Sequence, residues 1–153
     1  MPTTAAAATS PTEVRLVRHY PVSAERVWDA WTDPQALSLW FGASATGITA
    51  TTHAELDLRP GGQYSIRFNS PDGSSNEVAG VYHEVTPPSR LVFSWAFHST
   101  PERVSRISIN LAPVAGGTEL TFVHDRFFDQ QARDNHQRGW TLFFTQLDRL
   151  LEA

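Results

Sequence analysis

Histidine and tyrosine side chains carry most of the acid–base chemistry that this chain offers near neutral pH. The sequence holds six His and three Tyr but no Cys, and all twelve of its basic residues are Arg. Without a thiol or a lysine amine, the chain has no thiolate nucleophile, no thiolate metal site, no Schiff-base lysine and no P-loop lysine. We attribute the missing lysines to genome composition.

His124 is the histidine whose placement most favours a function. It ends a predicted strand on the same face as Leu120 and Phe122. On a concave sheet its imidazole would point into an enclosed space, where it would donate to a ligand carbonyl or act as a general base. The alternative, which is the commoner situation, is a strand-end histidine that meets a turn or solvent.

Three other residues are weaker candidates. His136 precedes Trp140 by four residues, so it either extends a helical apolar stripe towards the mouth of such a space or lies partly exposed in the first turns of the helix. Tyr64 and Tyr82 carry hydroxyls, which need hydrogen-bond partners when buried. Both are therefore candidates for hydrogen bonds to a ligand.

Motifs for metal or nucleophilic chemistry are absent from the sequence. There is no His-x-His pair and no His-Glu-x-x-His, so we predict neither a metal site nor another cofactor. There is no Gly-x-Ser-x-Gly either, which argues against a hydrolase-type triad. Gly61-Gly62 has no lysine and no helix after it, so it predicts a sharp turn or a bulge.

The elements that must position these residues begin with strands. Alternation of apolar and polar residues, interrupted by turn signals rich in Gly and Pro, predicts seven of them. The predicted strands cover residues 13–20, 46–57, 63–69, 77–86, 91–97 and 103–114, with a last strand around Leu120, Phe122 and His124.

Three helices complete the pattern. Ser23 and the pair Asp33-Pro34 predict the starts of two short helices after the first strand, the second ending near Gly42. Asp129 predicts the start of a long helix that reaches about Leu151 and carries an apolar stripe. The short helices place four aromatic residues that form either a mobile gate or, as we expect, a cap on the core: Trp28, Trp31, Trp40 and Phe41.

This order predicts an α+β fold, in which a curved antiparallel sheet of about six to seven strands surrounds the long C-terminal α-helix. One helix does not fill so curved a sheet, so we expect an apolar cavity between them. Most such aromatic residues are simply core, but the curvature favours a pocket as well. The candidate ligand-binding residues are Tyr64, Phe68, Tyr82, Phe93, Trp95, Phe122, His124, Trp140, Phe143 and Phe144.

The N-terminal residues, the hydropathy and the net charge indicate where the protein is located and what it contacts. Residues 1–12 predict a flexible N-terminal tail without the features of a signal peptide, and residues 13–153 predict a single domain. No apolar run reaches the roughly 20 residues of a membrane span. The net charge of −4, without a basic patch, disfavours nucleic-acid binding. We therefore expect a cytoplasmic protein that contacts neither membranes nor nucleic acid.

Several stretches, taken in order and spacing, carry a resemblance to a known family: Val22–Trp28, Leu58–Tyr64, Pro71–Gly73, Gly80–Trp95, Gly117–Thr121 and Gly139–Trp140. Over about residues 13–151 the chain resembles the START-like, birch-pollen-allergen-like helix-grip superfamily (SRPBCC). Within it, the chain is similar to single-domain proteins named after the activator of the 90-kDa heat-shock-protein ATPase. The resemblance implies a helix-grip fold.

The resemblance implies several functions, because the superfamily includes lipid and hormone carriers, polyketide cyclases and aromatases, and co-chaperone modules. We expect a binding protein for an apolar or amphipathic small molecule rather than an enzyme. The alternatives are a cyclase or aromatase-like enzyme that uses His124, Tyr64 or Tyr82, and a chaperone-associated interaction module. ATPase activation is not expected, and homodimerisation through a sheet edge or surface patch stays open.

Overall fold

The computed structural model describes residues 12–41, 51–69 and 74–152. Four parts of the prediction lie outside these residues. They are the start of the second strand at 46–50, the end of the second helix near Gly42, the turn at 70–73 and most of the tail. The seven strands are β1 (Val14–Tyr20), β2 (Thr51–Leu56), β3 (Gln63–Asn69), β4 (Ser75–Thr86), β5 (Arg90–Phe97), β6 (Ser105–Val114) and β7 (Gly117–Asp125). The helices are α1 (Ala24–Thr32), α2 (Pro34–Leu37) and α3 (Gln130–Glu152).

The strands form one antiparallel sheet in the order β1-β7-β6-β5-β4-β3-β2. From β2 to β7 each strand pairs with the next along the chain, whereas β1 joins the far edge by pairing with β7. Strands β1 and β2 therefore occupy opposite edges, and α1 and α2 lie on the connection between them. The predicted α+β helix-grip fold is confirmed.

All three predicted helix starts are confirmed by their hydrogen bonds. The Ser23 hydroxyl accepts from the backbone N–H of Arg26 at 3.2 Å, and the Asp33 carboxylate accepts from that of Gln35 at 3.0 Å. Asp129 accepts from the Ala132 N–H at 2.8 Å. Side-chain oxygens at these positions satisfy N–H groups that the first helical turn leaves unpaired.

Helix α3 presents its apolar stripe to the concave face of the sheet. Five residues of the stripe are buried: Trp140, Phe143, Phe144, Leu147 and Leu151. The opposing face of β7 is buried at every second residue, as expected for a strand with one face on the core. Within the described ranges, no helix has both the length and the apolar character to cross a bilayer.

Helix α1 and the residues that follow α2 place aromatic rings between the sheet and α3. The ring of Trp31 lies 4.7 Å from that of Trp40 and 5.8 Å from that of Phe122, measured between centroids. Phe41 lies 5.9 Å from Trp140. Since Trp40 and Phe41 are 0% and 2% exposed, these aromatic residues form part of the central core, in keeping with the cap that we expected.

A polar contact joins the edge strand β1 to the C-terminal half of α3. The Tyr20 hydroxyl donates to Asp148 Oδ1 at 2.6 Å, and Arg18 Nε lies 3.3 Å from both carboxylate oxygens. Burial, followed by the neighbouring Asp148 carboxylate, raises the pKa of the Tyr20 hydroxyl. The phenol therefore stays protonated and acts as a donor.

We expect Tyr20→Phe to lower the free energy of unfolding by about 1 kcal/mol, because it removes one hydrogen bond to a charged group while Arg18 still pairs with Asp148. Urea unfolding at pH 7 measures this. The matched control on β1 is Arg15→Gln, which breaks an exposed ion pair with Glu13 and should cost less than about 0.5 kcal/mol. Equal effects of the two changes would show that the buried contact adds nothing.

Candidate functional site

The deepest part of the interior is packed rather than hollow. The Tyr64 ring lies 5.5 Å from that of Tyr82 and 5.4 Å from that of Phe93. The gap that these residues line with Trp31 measures about 20 Å³, which is room for about one water molecule. The Tyr64 hydroxyl donates to the Ser94 carbonyl at 2.6 Å, so this hydroxyl already has a partner within the protein.

A larger, mainly apolar cavity opens between the N-terminal half of α3 and the sheet. Its volume is about 180 Å³, and four of the predicted ligand-binding residues lie on its wall. The lining residues are Phe68, Asn76, Trp95, Phe97, Asn135, His136, Gly139, Trp140, Leu142 and Phe143. Rings from both the sheet and the helix therefore form a wall suited to an apolar molecule.

Gly139 makes room for this cavity within α3. An added Cβ at this position would meet no heavy atom within 4 Å. A glycine inside a helix lowers stability by about 1 kcal/mol relative to alanine. Because a Cβ would fit at this position, contacts with neighbouring atoms do not require a glycine there.

A second cavity of about 360 Å³ adjoins the first and is more polar. The two share four lining residues: Trp95, Phe97, Asn135 and His136. The remaining residues of the second wall are Ala96, Thr100, Arg103, Ser105, Phe127, Phe128, Asp129, Gln131 and Ala132. Together the cavities reach the size of typical ligand pockets, roughly 300–1,000 Å³.

His136 stands on the wall common to both cavities. Its Nε2 accepts the indole N–H of Trp95 at 3.1 Å, and its Nδ1 lies 2.7 Å from the carbonyl of Ala132. An indole N–H only donates, so Nε2 carries the lone pair and Nδ1 carries the proton. Burial lowers the pKa of His136, which favours this neutral form.

His124 has a matching arrangement deeper in the core. Its Nδ1 accepts the indole N–H of Trp140 at 3.0 Å, and its Nε2 lies 2.7 Å from Ser105 Oγ. The Ser105 hydroxyl donates onward to the Trp95 carbonyl at 3.1 Å. His124 is completely buried, and burial, followed by the nearby His136, lowers its pKa.

Ser105 and His124 have the separation of a nucleophile and its general base, but not the proton arrangement. A base must offer a lone pair to the serine hydroxyl. Because Trp140 donates to Nδ1, the proton of neutral His124 lies on Nε2 and points to Ser105. The pair therefore holds the strands and α3 together and leaves Nε2 without a lone pair to take the serine proton.

The structure divides the predicted ligand-binding residues into two groups. Phe68, Trp95, Trp140 and Phe143 line the apolar cavity. The other six line neither of these two adjoining cavities, and as ligand contacts they remain predictions: Tyr64, Tyr82, Phe93, Phe122, His124 and Phe144. The cavity wall also includes Phe97, which alternates with Phe93 and Trp95 along β5, and Gly139, which the sequence marked only as part of the family resemblance.

Metal-binding geometry is not found in the described ranges. No three His, Cys, Asp or Glu side chains in residues 12–41, 51–69 and 74–152 are grouped so as to hold an ion. His83 is exposed beside a register shift between β4 and β5. The chemistry of the two cavities thus comes from aromatic rings, neutral polar groups and the charges of Arg103 and Asp129.

Comparison with known families assigns the chain to one of them. The family model described as activator of Hsp90 ATPase homolog 1-like protein matches residues 21–152. The chain belongs to this family. The match covers everything from the residue after β1 to the end of α3. Among curated proteins, no sequence matches the chain.

Solved structures of similar proteins share the fold. A Chromobacterium violaceum protein is 27% identical, with a TM-score of 0.78 over 94% of this chain and 99% of its own. A Nitrosomonas europaea protein is 26% identical, with a TM-score of 0.73 over 94% and 96%. DynU16, a protein of the dynemicin biosynthetic locus, is 25% identical, with a TM-score of 0.74 over 92% of this chain but 47% of its own.

Proposed function

We propose that this member of the family binds an apolar or amphipathic small molecule in the two adjoining cavities beside α3. The observation that carries the proposal is the apolar cavity at Gly139. Glycine occupies this helical position although a Cβ would meet no neighbouring atom there. The aromatic wall supports an apolar ligand, and the similarity to DynU16 supports an association with small-molecule metabolism.

The geometry favours binding over acid–base turnover. Both nitrogens of His124 and both nitrogens of His136 are already engaged by protein groups. A general base must come within hydrogen-bond reach of the substrate proton with a lone pair available. Neither histidine offers one without breaking a bond to an indole. A cyclase-like reaction through these residues therefore has less support than simple retention of a ligand.

Native mass spectrometry of the freshly purified protein, followed by solvent extraction, tests the proposal. We expect a mass above that of the chain and an extracted apolar molecule. In parallel, the neutral dye N-phenyl-1-naphthylamine should give a saturable rise in fluorescence, reversed by the extract. An empty extract together with no saturable dye binding would refute the proposed function.

A further inference from the structure

We infer that the ligand is an organic anion, with an apolar ring-sized body in the smaller cavity and a carboxylate in the larger one beside Arg103. This inference rests on the proposed function and specifies its ligand class. Arg103 is the one arginine on the described walls of either cavity. The position of its guanidinium is what distinguishes the larger cavity from an ordinary polar cleft.

The guanidinium of Arg103, whose side chain is 45% exposed, packs on an aromatic ring without using its hydrogen-bonding capacity. Its Cζ lies 4.0 Å from the centroid of the Phe128 ring, a cation–π contact that consumes no N–H donor. Its ion pair is a loose 3.8 Å contact with the adjacent, exposed Glu102. The side chain therefore has donors left for a carboxylate, which arginine binds through two parallel N–H bonds.

The acidic residue on the same wall is already committed. Asp129 accepts the backbone N–H of Ala132 at the start of α3, so its charge serves the first turn of the helix. His136, which the two cavities share, is held neutral by burial. The other polar lining residues of the larger cavity carry no charge: Thr100, Ser105, Gln131 and Asn135. Arg103 is thus the cation that an incoming ligand would meet.

The two cavities suit a ligand that has one apolar end and one charged end. The smaller cavity is walled mainly by rings, among them Phe68, Trp140 and Phe143, and has no formal charge on its described wall. Trp95 and Phe97 belong to both walls, so a flat molecule can lie against them and extend from one cavity into the other. An aromatic carboxylic acid combines an apolar ring with a charged carboxylate in this way.

A pair of probes of nearly identical shape tests the inference. Isothermal titration calorimetry would compare 2-naphthoate with neutral 2-naphthamide on the full chain, on Arg103→Gln, and on Arg106→Gln. Arg106 lies outside both cavities and is the matched control. We expect the native protein and the control to bind naphthoate about fivefold more tightly than naphthamide. Arg103→Gln should lose that preference while keeping its affinity for naphthamide.

Each alternative outcome is decisive. Equal affinity for the two probes in the native protein would overturn the inference and leave the proposed function standing. A preference that survives in Arg103→Gln would place the anion elsewhere and also overturn it. No binding of either probe, with an empty solvent extract, would overturn the inference and the proposed function together. Far-ultraviolet circular dichroism and urea unfolding would verify that each variant is folded.

Discussion

Gly139→Leu is expected to weaken binding of N-phenyl-1-naphthylamine strongly while leaving the protein at least as stable as before. Gly139 lines the apolar cavity, and a Cβ placed there meets open space. A leucine at this point occupies the volume that the dye needs, so we expect the affinity to fall at least about tenfold. Leucine is also a far better helix former than glycine, by about 0.8 kcal/mol.

Two further variants separate occupation of the cavity from other effects of the change. Gly139→Ala should raise the free energy of unfolding by about 1 kcal/mol and weaken dye binding only a few-fold. Thr145→Leu adds the same side chain on the exposed side of α3 and should leave binding unchanged. Fluorescence titration and urea unfolding measure both quantities. Undiminished dye binding by Gly139→Leu would mean that the dye occupies another site.

Stability is expected to fall steeply as the pH drops below about 6.5. The pKa values of His124 and His136 lie below their ordinary value of 6.5 in the folded protein, mainly because both are buried. In that range the unfolded chain binds protons that the folded chain excludes, so acid favours unfolding. Each histidine contributes at most about 1.4 kcal/mol per pH unit, and its contribution ends at its folded pKa.

The stabilisation from these histidines is therefore complete above pH 6.5 and is lost on acidification. Urea unfolding at intervals between pH 7.5 and 5 would measure the slope, to which the two histidines add at most about 2.8 kcal/mol per unit. His136→Gln removes one titrating group while Oε1 can still accept the indole N–H of Trp95, so the slope should become shallower. A flat profile across this range would contradict the neutral buried state of both residues.

Much of the fold was predictable because it depends on local signals. Ser23, Asp33 and Asp129 start helices through hydrogen bonds to residues two or three positions away. Alternation along each strand identified the face that β7 buries. The first residues of β4 and β6 differed from prediction by two positions, since pairing with neighbouring strands as well as local pattern decides where a strand begins.

The candidate site was predictable only in part, because its geometry depends on contacts between distant residues. The sequence placed Trp140 and Phe143 on the helix stripe and Trp95 on the facing strand. It gave no sign that Trp140 would donate to His124, since that bond depends on how α3 lies across the sheet. Nor did it show that Phe41 would pack against Trp140 in the interior, while the two adjoining cavities lie beside the N-terminal half of α3.

Strand β1 lies outside the residues that the family model matches. The family match starts at residue 21, yet β1 pairs with β7 along its whole length, from Val14 opposite His124 to Tyr20 opposite Thr118. A chain trimmed to the family boundary would lose the hydrogen bond from Tyr20 to Asp148 and bare the backbone of β7. An unprotected strand edge recruits strands from other molecules and promotes aggregation. The segment that marks the family is thus shorter than the segment that folds.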